Sequence, residues 1–306
     1  MATGKVRRVR SLVTGADGFV GTWLTAHLRE SGDEVIGIDH EVNITDGPAL
    51  REAVLAAAPE AIYHLAALAH VGESWTNPDA VLQVNAVGTL HLLDAARACS
   101  SPPRVLLISS AEVYGSVLED QLPVTEATAL APVTPYAASK VAAEYLGIQA
   151  HLAYGLRVIR VRPFNHIGPG QAPTFVVPAL AARIVEAVHL RSPSIPVGNL
   201  GARRDLTDVR DIVRAYRMLV ELGTPGEVYN VCSGRDVAIS EVADRLLRLA
   251  GADLTLDPDP ELMRPVDVAV IRGDPGKLHA ATGWQPQLDL DTTLSAVLHQ
   301  WQQKVA

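Results

Sequence analysis

The segment TGADGFVG, residues 14–21, constrains the fold more than any other part of the chain. A short apolar segment before it, residues 9–13, is predicted to be a strand, and residues 22–29 after it are predicted to be a helix. In such a turn the first glycine permits a tight bend, the second lets the backbone approach a pyrophosphate, and the third lets helix and strand pack closely. Phosphates then bind the N–H groups at the start of the helix. The segment therefore predicts a dinucleotide-binding loop.

The second predicted strand, residues 34–38, is followed directly by Asp39. An acidic side chain at this point of the fold accepts hydrogen bonds from the ribose hydroxyls of the adenosine. A 2′-phosphate would be repelled by the carboxylate, and the next residues, His40 and Glu41, offer no arginine to compensate. We therefore expect the cofactor to be NAD(H) in preference to NADP(H).

Strands and helices alternate through the first half of the chain. Further strands are predicted at residues 61–66, 104–109 and 157–162, and helices at 46–58, 78–99 and 136–154. This alternation predicts an α/β fold, a Rossmann doubly wound parallel sheet with helices on both faces. Ligands of such sheets bind at the carboxyl ends of the strands. We expect residues 1–165 to form an NAD(P)-binding core.

The pattern changes after residue 165, where Pro- and Gly-rich loops separate shorter elements. Helices are predicted at residues 175–190, 209–222 and 240–249, and a strand at 228–231. Asp208 is expected to cap the second of these helices. We expect residues 166–306 to form mainly a smaller α/β substrate-binding cap, interleaved with the last elements of the core.

Composition limits the possible partners. A formal net charge of -8 and the lack of a long basic run argue against nucleic acid. No apolar run is long enough to cross a bilayer, and the basic residues at 5–10 are not followed by the apolar core of a signal peptide. Two cysteines, Cys99 and Cys232, are too few for a disulfide framework. These features predict a cytoplasmic protein with neither a nucleic-acid nor a membrane partner.

Tyr136 and Lys140 are the candidate catalytic pair. They are four positions apart, so both face the same side of a helix. A phenol normally has a pKa near ~10, and a neighbouring ammonium is expected to lower that pKa toward neutrality. Ser110, at the end of a predicted strand, supplies a hydroxyl that can bind the same substrate oxygen. The three residues together predict acid–base chemistry on an oxygen atom.

Through these residues the chain resembles the extended short-chain dehydrogenase/reductases, specifically the branch that acts on nucleotide sugars. Within that branch it looks most like the GDP-4-keto-6-deoxy-D-mannose reductases, through FNHIGPGQ (residues 164–171) and VYNVCSG (residues 228–234). The resemblance covers nearly the whole chain. It is carried by residues 14–21, 64–67, 85–89, 109–115, 136–140, 162–166, 198–200, 204–205, 208–211, 264–265 and 282–284.

The resemblance implies roles for individual residues. Tyr136 would be the general acid/base, Lys140 would hold the nicotinamide ribose, and Ser110 would bond the reacting C4 oxygen. Glu112 matches the carboxylate that removes the C5 proton in related dehydratases, or else accepts a hydrogen bond from a sugar hydroxyl. The cofactor set is Gly15, Gly18, Phe19, Val20, Gly21, Asp39, Asn43, Ile44, Leu65, Ala66, Ala67, Asn85, Tyr136, Lys140 and Pro163, with Asn85 supporting the site's backbone. The substrate set is Ser110, Asn165, Thr174, Phe175, Val176, Asn199, Arg204 and Arg264.

Three functions remain open. The first is reduction of the C4 ketone of a GDP-4-keto-6-deoxy-hexose by NAD(P)H. The alternative is a GDP-mannose 4,6-dehydratase or an epimerase, in which bound NAD is reduced and reoxidised in one cycle. Ala111 stands where dTDP-glucose dehydratases carry an aspartate, and epimerases commonly have threonine where Glu112 stands. A non-catalytic nucleotide-sensing relative is the third, although such proteins typically lose the tyrosine or lysine that this chain keeps.

Metal binding and oligomerisation complete the expectations. His64, His70 and His166 lie on separate predicted loops without ligand spacing, so no metal site is expected. The predicted helices at residues 78–99 and 136–154 carry apolar side chains on more than one face, which calls for a second packing partner. Members of the family commonly pair these helices in a two-fold four-helix bundle. We therefore expect a homodimer.

Overall fold

The computed structural model describes residues 8–263 and 268–305. The strands are β1 (Arg10–Thr14), β2 (Glu34–Ile38), β3 (Ala61–His64), β4 (Arg104–Ile108), β5 (Arg157–Pro163), β6 (Asn165–Ile167), β7 (Ser194–Val197), β8 (Arg203–Asp208), β9 (Val228–Val231), β10 (Asp236–Ala238), β11 (Thr255–Pro258) and β12 (Val270–Ile271). The helices are α1 (Phe19–Glu30), α2 (Gly47–Ala57), α3 (Pro78–Leu82), α4 (Gly88–Ala98), α5 (Pro135–Tyr154), α6 (Val176–Leu190), α7 (Val209–Leu222), α8 (Ile239–Ala250), α9 (Gly276–Thr282) and α10 (Leu290–Val305).

Within the described residues, six strands form one parallel sheet in the order β2-β1-β3-β4-β5-β9. The chain runs from β1 to β2 on one side and returns to β3 on the other, so the connections change direction between β1 and β3. Ligands of open α/β sheets bind outside the carboxyl ends of the strands at such a point. The predicted doubly wound parallel sheet is confirmed.

Alternating side chains of the strands bury two hydrophobic layers, one on each face of the sheet. On β4, Leu106 packs with residues of α1 and α7, whereas Leu107 packs with residues of α2, α4 and α5. This is the alternation that a strand covered on both faces requires. Helices on both faces leave the carboxyl edge of the sheet as its accessible side.

A third hydrophobic layer forms beyond β5 from α6, α8 and α10. It packs beside a small sheet in which β8 pairs with β6, β10 and β12, and beside the β7–β11 pair. Between these segments the chain returns to the large sheet through α7 and β9. Asp208 caps α7 by accepting the Arg210 N–H at 2.8 Å.

The predicted helix at residues 78–99 differs most from the structure. It is divided into α3, a π-helical turn (Gln83–Val87) and α4. Asn85, in the middle of the π-helical turn, is buried and bonds the Leu68 backbone through both its side-chain oxygen and its nitrogen. π-helical turns of this kind occur frequently at functional sites. In the part of the chain described, no helix is both long enough and apolar enough to cross a membrane.

Candidate active site

The glycine-rich loop turns sharply between β1 and α1. Gly15 has φ +71°, and a Cβ there would lie 2.8 Å from the Ala66 nitrogen just beyond β3. A Cβ on Gly21 would lie 2.0 Å from the Gly15 carbonyl oxygen, so α1 reaches the loop only because this residue is glycine. Gly18 is the N-cap of α1 and has no side chain to bond the first-turn N–H groups. Those groups have no intrahelical partner and point where an anion can bind.

A cavity of about 890 Å³ extends along this loop and across the carboxyl ends of the large sheet. Every residue predicted to hold the cofactor lines it except Asn85. Asp39 lies at the β2 side of the cavity, and its Oδ2 accepts the Asp17 N–H at 2.8 Å. Tyr136 and Lys140 lie on α5, toward β4 and β5. The cavity thus joins an acidic residue at one end to the candidate catalytic pair at the other.

All four predicted catalytic residues line this cavity. Tyr136 is in the first turn of α5, and its phenol is near enough to the Ser110 side chain for a hydrogen-bonding interaction to act on its pKa. Ser110 follows β4 and is the N-cap of a 3₁₀ turn (Ala111–Tyr114), where its Oγ accepts the Glu112 N–H at 3.2 Å. The end of β4 therefore positions both Ser110 and Glu112 beside the Tyr136 phenol.

The pKa of Tyr136 differs from the expectation. Burial raises it to about 12, the hydrogen bond with Ser110 opposes that shift, and the charge of Glu112 adds to it. The Lys140 ammonium donates to the Ile108 carbonyl oxygen at 2.9 Å, and burial lowers the pKa of Lys140 to about 8. Burial of the phenol therefore has a larger effect than the nearby ammonium. Tyr136 is protonated at neutral pH.

A buried ion pair lies near the candidate catalytic pair. Glu144, one turn beyond Lys140, accepts two hydrogen bonds from Arg162 at 2.9 and 2.8 Å. Both side chains are at most 4% exposed. Arg162 also donates to the Tyr114 hydroxyl at 3.0 Å, and Glu144 raises the pKa of Lys140 against the effect of burial. The pair thus ties α5 to β5 and to the turn that carries Glu112.

Asn85 supports the site from outside the cavity lining. Its oxygen accepts the Leu68 N–H at 2.8 Å, and its nitrogen donates to the Leu68 carbonyl at 3.1 Å and to Ser139 Oγ at 2.9 Å. Ser139 in turn donates to the Tyr136 carbonyl oxygen at 2.7 Å. Asn85 therefore holds both the loop after β3 and the first turn of α5.

His64 is a core histidine with both ring nitrogens paired. Nδ1 lies 2.8 Å from Thr14 Oγ1, and Nε2 lies 3.0 Å from Thr89 Oγ1. The Thr89 hydroxyl donates to the Asn85 carbonyl oxygen, so it accepts from the Nε2–H of His64. Burial lowers the pKa of His64 to about 3, which keeps the ring neutral. The described residues hold no group of three or more His, Cys, Asp or Glu side chains that could bind a metal ion.

The predicted substrate residues are only partly brought together. Ser110, Asn165 and Phe175 line the cavity. Other members of the set, Thr174, Val176, Asn199 and Arg204, are outside its lining, and Arg264 is not among the described residues. Arg204 is anchored by donating to the carbonyl oxygens of Arg203 at 2.9 Å and of Val268 at 2.7 Å.

His166, Gln171 and Tyr216 are among the cavity residues that were not predicted as site residues. His166 stacks on Phe19 with ring centres 6.1 Å apart, Gln171 donates to the His166 carbonyl, and Tyr216 reaches the cavity from α7. The first two lie in the FNHIGPGQ segment, which pointed to the family but not to their positions. No local motif marks Tyr216, because only the packing of α7 on the sheet brings it to the cavity.

Comparison with known proteins identifies the family. A sequence model of the GDP-mannose 4,6 dehydratase family matches residues 39–297. The chain belongs to this family. Among its relatives, GDP-6-deoxy-D-mannose reductase of Pseudomonas aeruginosa is 38% identical over 97% of this chain and 98% of that protein. The resemblance to extended short-chain dehydrogenase/reductases of the GDP-sugar branch is confirmed.

Solved structures extend the family relationship to the fold. The structure of RMD from Pseudomonas aeruginosa in complex with NADPH has a TM-score of 0.89 and 37% identity, covering 96% of this chain and 99% of that one. The Thermus thermophilus UDP-glucose 4-epimerase in complex with NAD has a TM-score of 0.85 and 27% identity, covering 95% and 98%. Proteins with this fold therefore include one solved with each form of the cofactor.

Proposed function

We propose that this protein reduces the C4 ketone of a GDP-4-keto-6-deoxy-hexose with NAD(P)H, giving a product of the GDP-rhamnose type. The observation that carries the proposal is that Tyr136, Ser110 and Lys140 line one end of a cavity that begins at a dinucleotide loop. Reduction of a ketone needs an acid beside the carbonyl oxygen. The similarity to the Pseudomonas reductase supports the same reaction.

The loop fits a dinucleotide because Gly15 and Gly21 leave no room for a Cβ and Gly18 exposes the first turn of α1 to an anion. When bound, the nicotinamide supplies a hydride to the carbonyl carbon. Ser110 holds the carbonyl oxygen with its hydroxyl. Tyr136 transfers its phenolic proton to that oxygen as the alcohol forms, and Lys140 binds the ribose hydroxyls with its ammonium.

Substrate contacts are proposed on the same basis. Asn165 and Phe175 line the cavity, which supports a contact with the nucleotide sugar, and Thr174 and Val176 flank Phe175 at the start of α6. We still predict that the substrate diphosphate and its flanks are bound by Asn199, Arg204 and Arg264. Guanidinium groups match the geometry of phosphate oxygens. We assign Glu112 to a sugar hydroxyl or to the C5 proton.

A dehydratase is the second candidate function, because the family model is that of a dehydratase and Glu112 lies beside Tyr136. An epimerase or a non-catalytic relative has less support, since Glu112, Tyr136 and Lys140 are all present in the cavity.

The decisive experiment offers the purified protein GDP-mannose without cofactor and, separately, the 4-keto-6-deoxy sugar nucleotide with reduced cofactor. We expect the reduced cofactor to be oxidised in the second reaction and the GDP-mannose to remain unconsumed in the first. Consumption of GDP-mannose in the first would contradict the reductase.

The preferred cofactor is proposed to be NAD(H), from the carboxylate of Asp39 at the β2 side of the cavity. The neighbouring smaller cavity also contains the acidic side chains of Asp17 and Glu41, with Arg29 as its basic residue. NADPH in the similar Pseudomonas structure is the observation against this preference.

Pairing of two copies through α4 and α5 is proposed from exposed apolar side chains on α3, α4 and α5. Leu82, Leu90, Tyr145 and Leu152 are at least 37% exposed. Apolar residues on a helix already packed against its own sheet favour a second partner.

Both cysteines are free, as is usual in a reducing compartment, and the cytoplasm stays the predicted location.

A further inference from the structure

Tyr216 is a buried residue that the acid–base chemistry does not use. It lies on α7, is 0% exposed and lines the main cavity. Its hydroxyl has no hydrogen-bond partner among the described residues. Buried hydroxyls without a partner are uncommon, because no hydrogen bond then offsets the free energy of removing the hydroxyl from water. Because Tyr216 lines the cavity, its hydroxyl is a candidate to bond a ligand there.

The surroundings of Tyr216 indicate at which end of the cavity it lies. Tyr216 and Tyr136 line the same cavity, and burial and the charge of Tyr136 both raise the pKa of Tyr216. Ile108 and Pro163, which also line the cavity, end the strands on which α7 packs. Tyr216 therefore belongs to the catalytic end, far from Asp39 at the β2 side.

The nicotinamide ring carries one polar substituent, a carboxamide with both a donor and an acceptor. A phenolic hydroxyl can bond either one. We propose that the Tyr216 hydroxyl binds the carboxamide of the nicotinamide and thereby orients the ring toward Ser110 and Tyr136. This inference rests on the proposed function, since it requires a nicotinamide cofactor in this cavity.

The test compares Tyr216→Phe with Ser11→Ala. Ser11, on β1, also has a buried hydroxyl without a partner, but it does not line the cavity. Binding of NADH, NADPH and ADP-ribose is titrated by calorimetry, and thermal unfolding is followed without ligand. ADP-ribose is the probe that keeps the pyrophosphate and both riboses but lacks the nicotinamide.

For Tyr216→Phe we expect the dissociation constant of the reduced cofactor to rise roughly threefold to tenfold, the contribution of one net hydrogen bond. ADP-ribose binding should not change, and the unfolding temperature without ligand should stay the same or rise. Ser11→Ala should leave all cofactor binding unchanged. A merely structural role for the Tyr216 hydroxyl predicts instead a lower unfolding temperature and equal weakening of ADP-ribose.

Unchanged cofactor affinity in Tyr216→Phe overturns the inference and leaves the proposed function intact. A rise in KM for the sugar nucleotide alone would also overturn it, by assigning the hydroxyl to the substrate. If the unmodified protein binds neither NADH nor NADPH, the proposed function fails together with the inference. The titration of the unmodified protein thus separates the two failures.

Discussion

The Lys140 ammonium lies 5.9 Å from the centre of the Tyr136 ring, one helical turn along α5. It does not act on the phenol alone, because it also donates to the Ile108 carbonyl oxygen at the end of β4. This bond fixes the ammonium between the helix and the sheet, within reach of the cavity. The buried phenol keeps its proton, as the acid in a reduction must.

Replacing Tyr136 by Phe removes this proton donor without changing the volume of the side chain. We expect kcat to fall about 10²–10⁴-fold, the usual contribution of general acid catalysis, with little change in cofactor affinity. Tyr145→Phe is the matched control, because Tyr145 lies on the same helix and is 61% exposed. Near-normal turnover in Tyr136→Phe would remove Tyr136 from the mechanism.

The lowered pKa of Lys140 predicts opposite effects of alkaline pH on cofactor affinity and on the free energy of unfolding. Its folded pKa of about 8 is below the ordinary lysine value of 10.5, so the folded state loses this proton first as the pH rises. Cofactor affinity should fall above about pH 8 as the ammonium is lost. The unfolded chain holds more protons between these two pKa values, so the contribution of Lys140 to the unfolding free energy rises with pH there.

The measurement compares the unmodified protein with Lys140→Met in denaturant titrations across that window. The difference in unfolding free energy between the two should change with a slope of up to about 1.4 kcal/mol per pH unit. A difference that is independent of pH would show that Lys140 titrates normally.

Removing one partner of the Glu144–Arg162 pair should lower the free energy of unfolding strongly. Glu144→Gln leaves the Arg162 guanidinium buried without its counter-charge, and such losses cost about 3–5 kcal/mol. Breaking the exposed Arg245–Glu241 pair with Glu241→Gln should cost at most about 1 kcal/mol. Denaturant midpoints of both variants check this. Equal midpoints would mean that Arg162 finds water or another partner.

Much of the fold and the site follows from local sequence signals. The glycine spacing at residues 14–21 and the Tyr136–Lys140 spacing each describe a short segment whose geometry depends on few other residues. The break between α3 and α4 did not follow, because it depends on the bond from Asn85 to a distant loop at Leu68. Helix α10 was also missed, although Asp289 accepts the Thr292 N–H at 2.7 Å as its capping signal.

The substrate side was less predictable than the cofactor side for a physical reason. The predicted cofactor loop is one continuous strand–turn–helix, whereas the residues predicted to bind substrate lie on separate segments of the chain, of which the cavity lining includes Ser110, Asn165 and Phe175. Asn199 and Arg204 were predicted from family motifs, but their distance from the cavity depends on how those segments pack. The pKa of Tyr136 depends on its burial, which no local pattern gives.

The proposed dimer makes a prediction about exposed leucines. Leu152 on α5 is 77% exposed, and Leu190 on α6 is 66% exposed. If α4 and α5 form the interface, Leu152→Glu should shift the mass measured by light scattering toward the monomer. Leu190→Glu, an equally drastic change away from these helices, should not. A monomer mass for the unmodified protein at micromolar concentration would rule the dimer out.

The proposed preference for NAD(H) rests on Asp39. Its Oδ2 accepts the Asp17 N–H of the glycine-rich loop at 2.8 Å, which directs the carboxylate toward the loop and the cavity. A 2′-phosphate placed beside it would bring two negative charges within a few ångströms, an interaction of about 4 kcal/mol at an effective dielectric constant near 20. Solvent and rearrangement should reduce this to roughly a tenfold to hundredfold preference for NADH.

The ratio of kcat/KM with NADH to that with NADPH measures this preference. Asp39→Ser should lower the ratio about tenfold or more, because it removes the charge and keeps a hydroxyl near the ribose. Glu41→Gln is the control: it neutralises a neighbouring carboxylate that bonds the Asp39 N–H, and it should change the ratio less. If the unmodified protein prefers NADPH, it resembles the Pseudomonas relative solved with that cofactor, and Asp39 then contacts the loop instead of selecting the ribose.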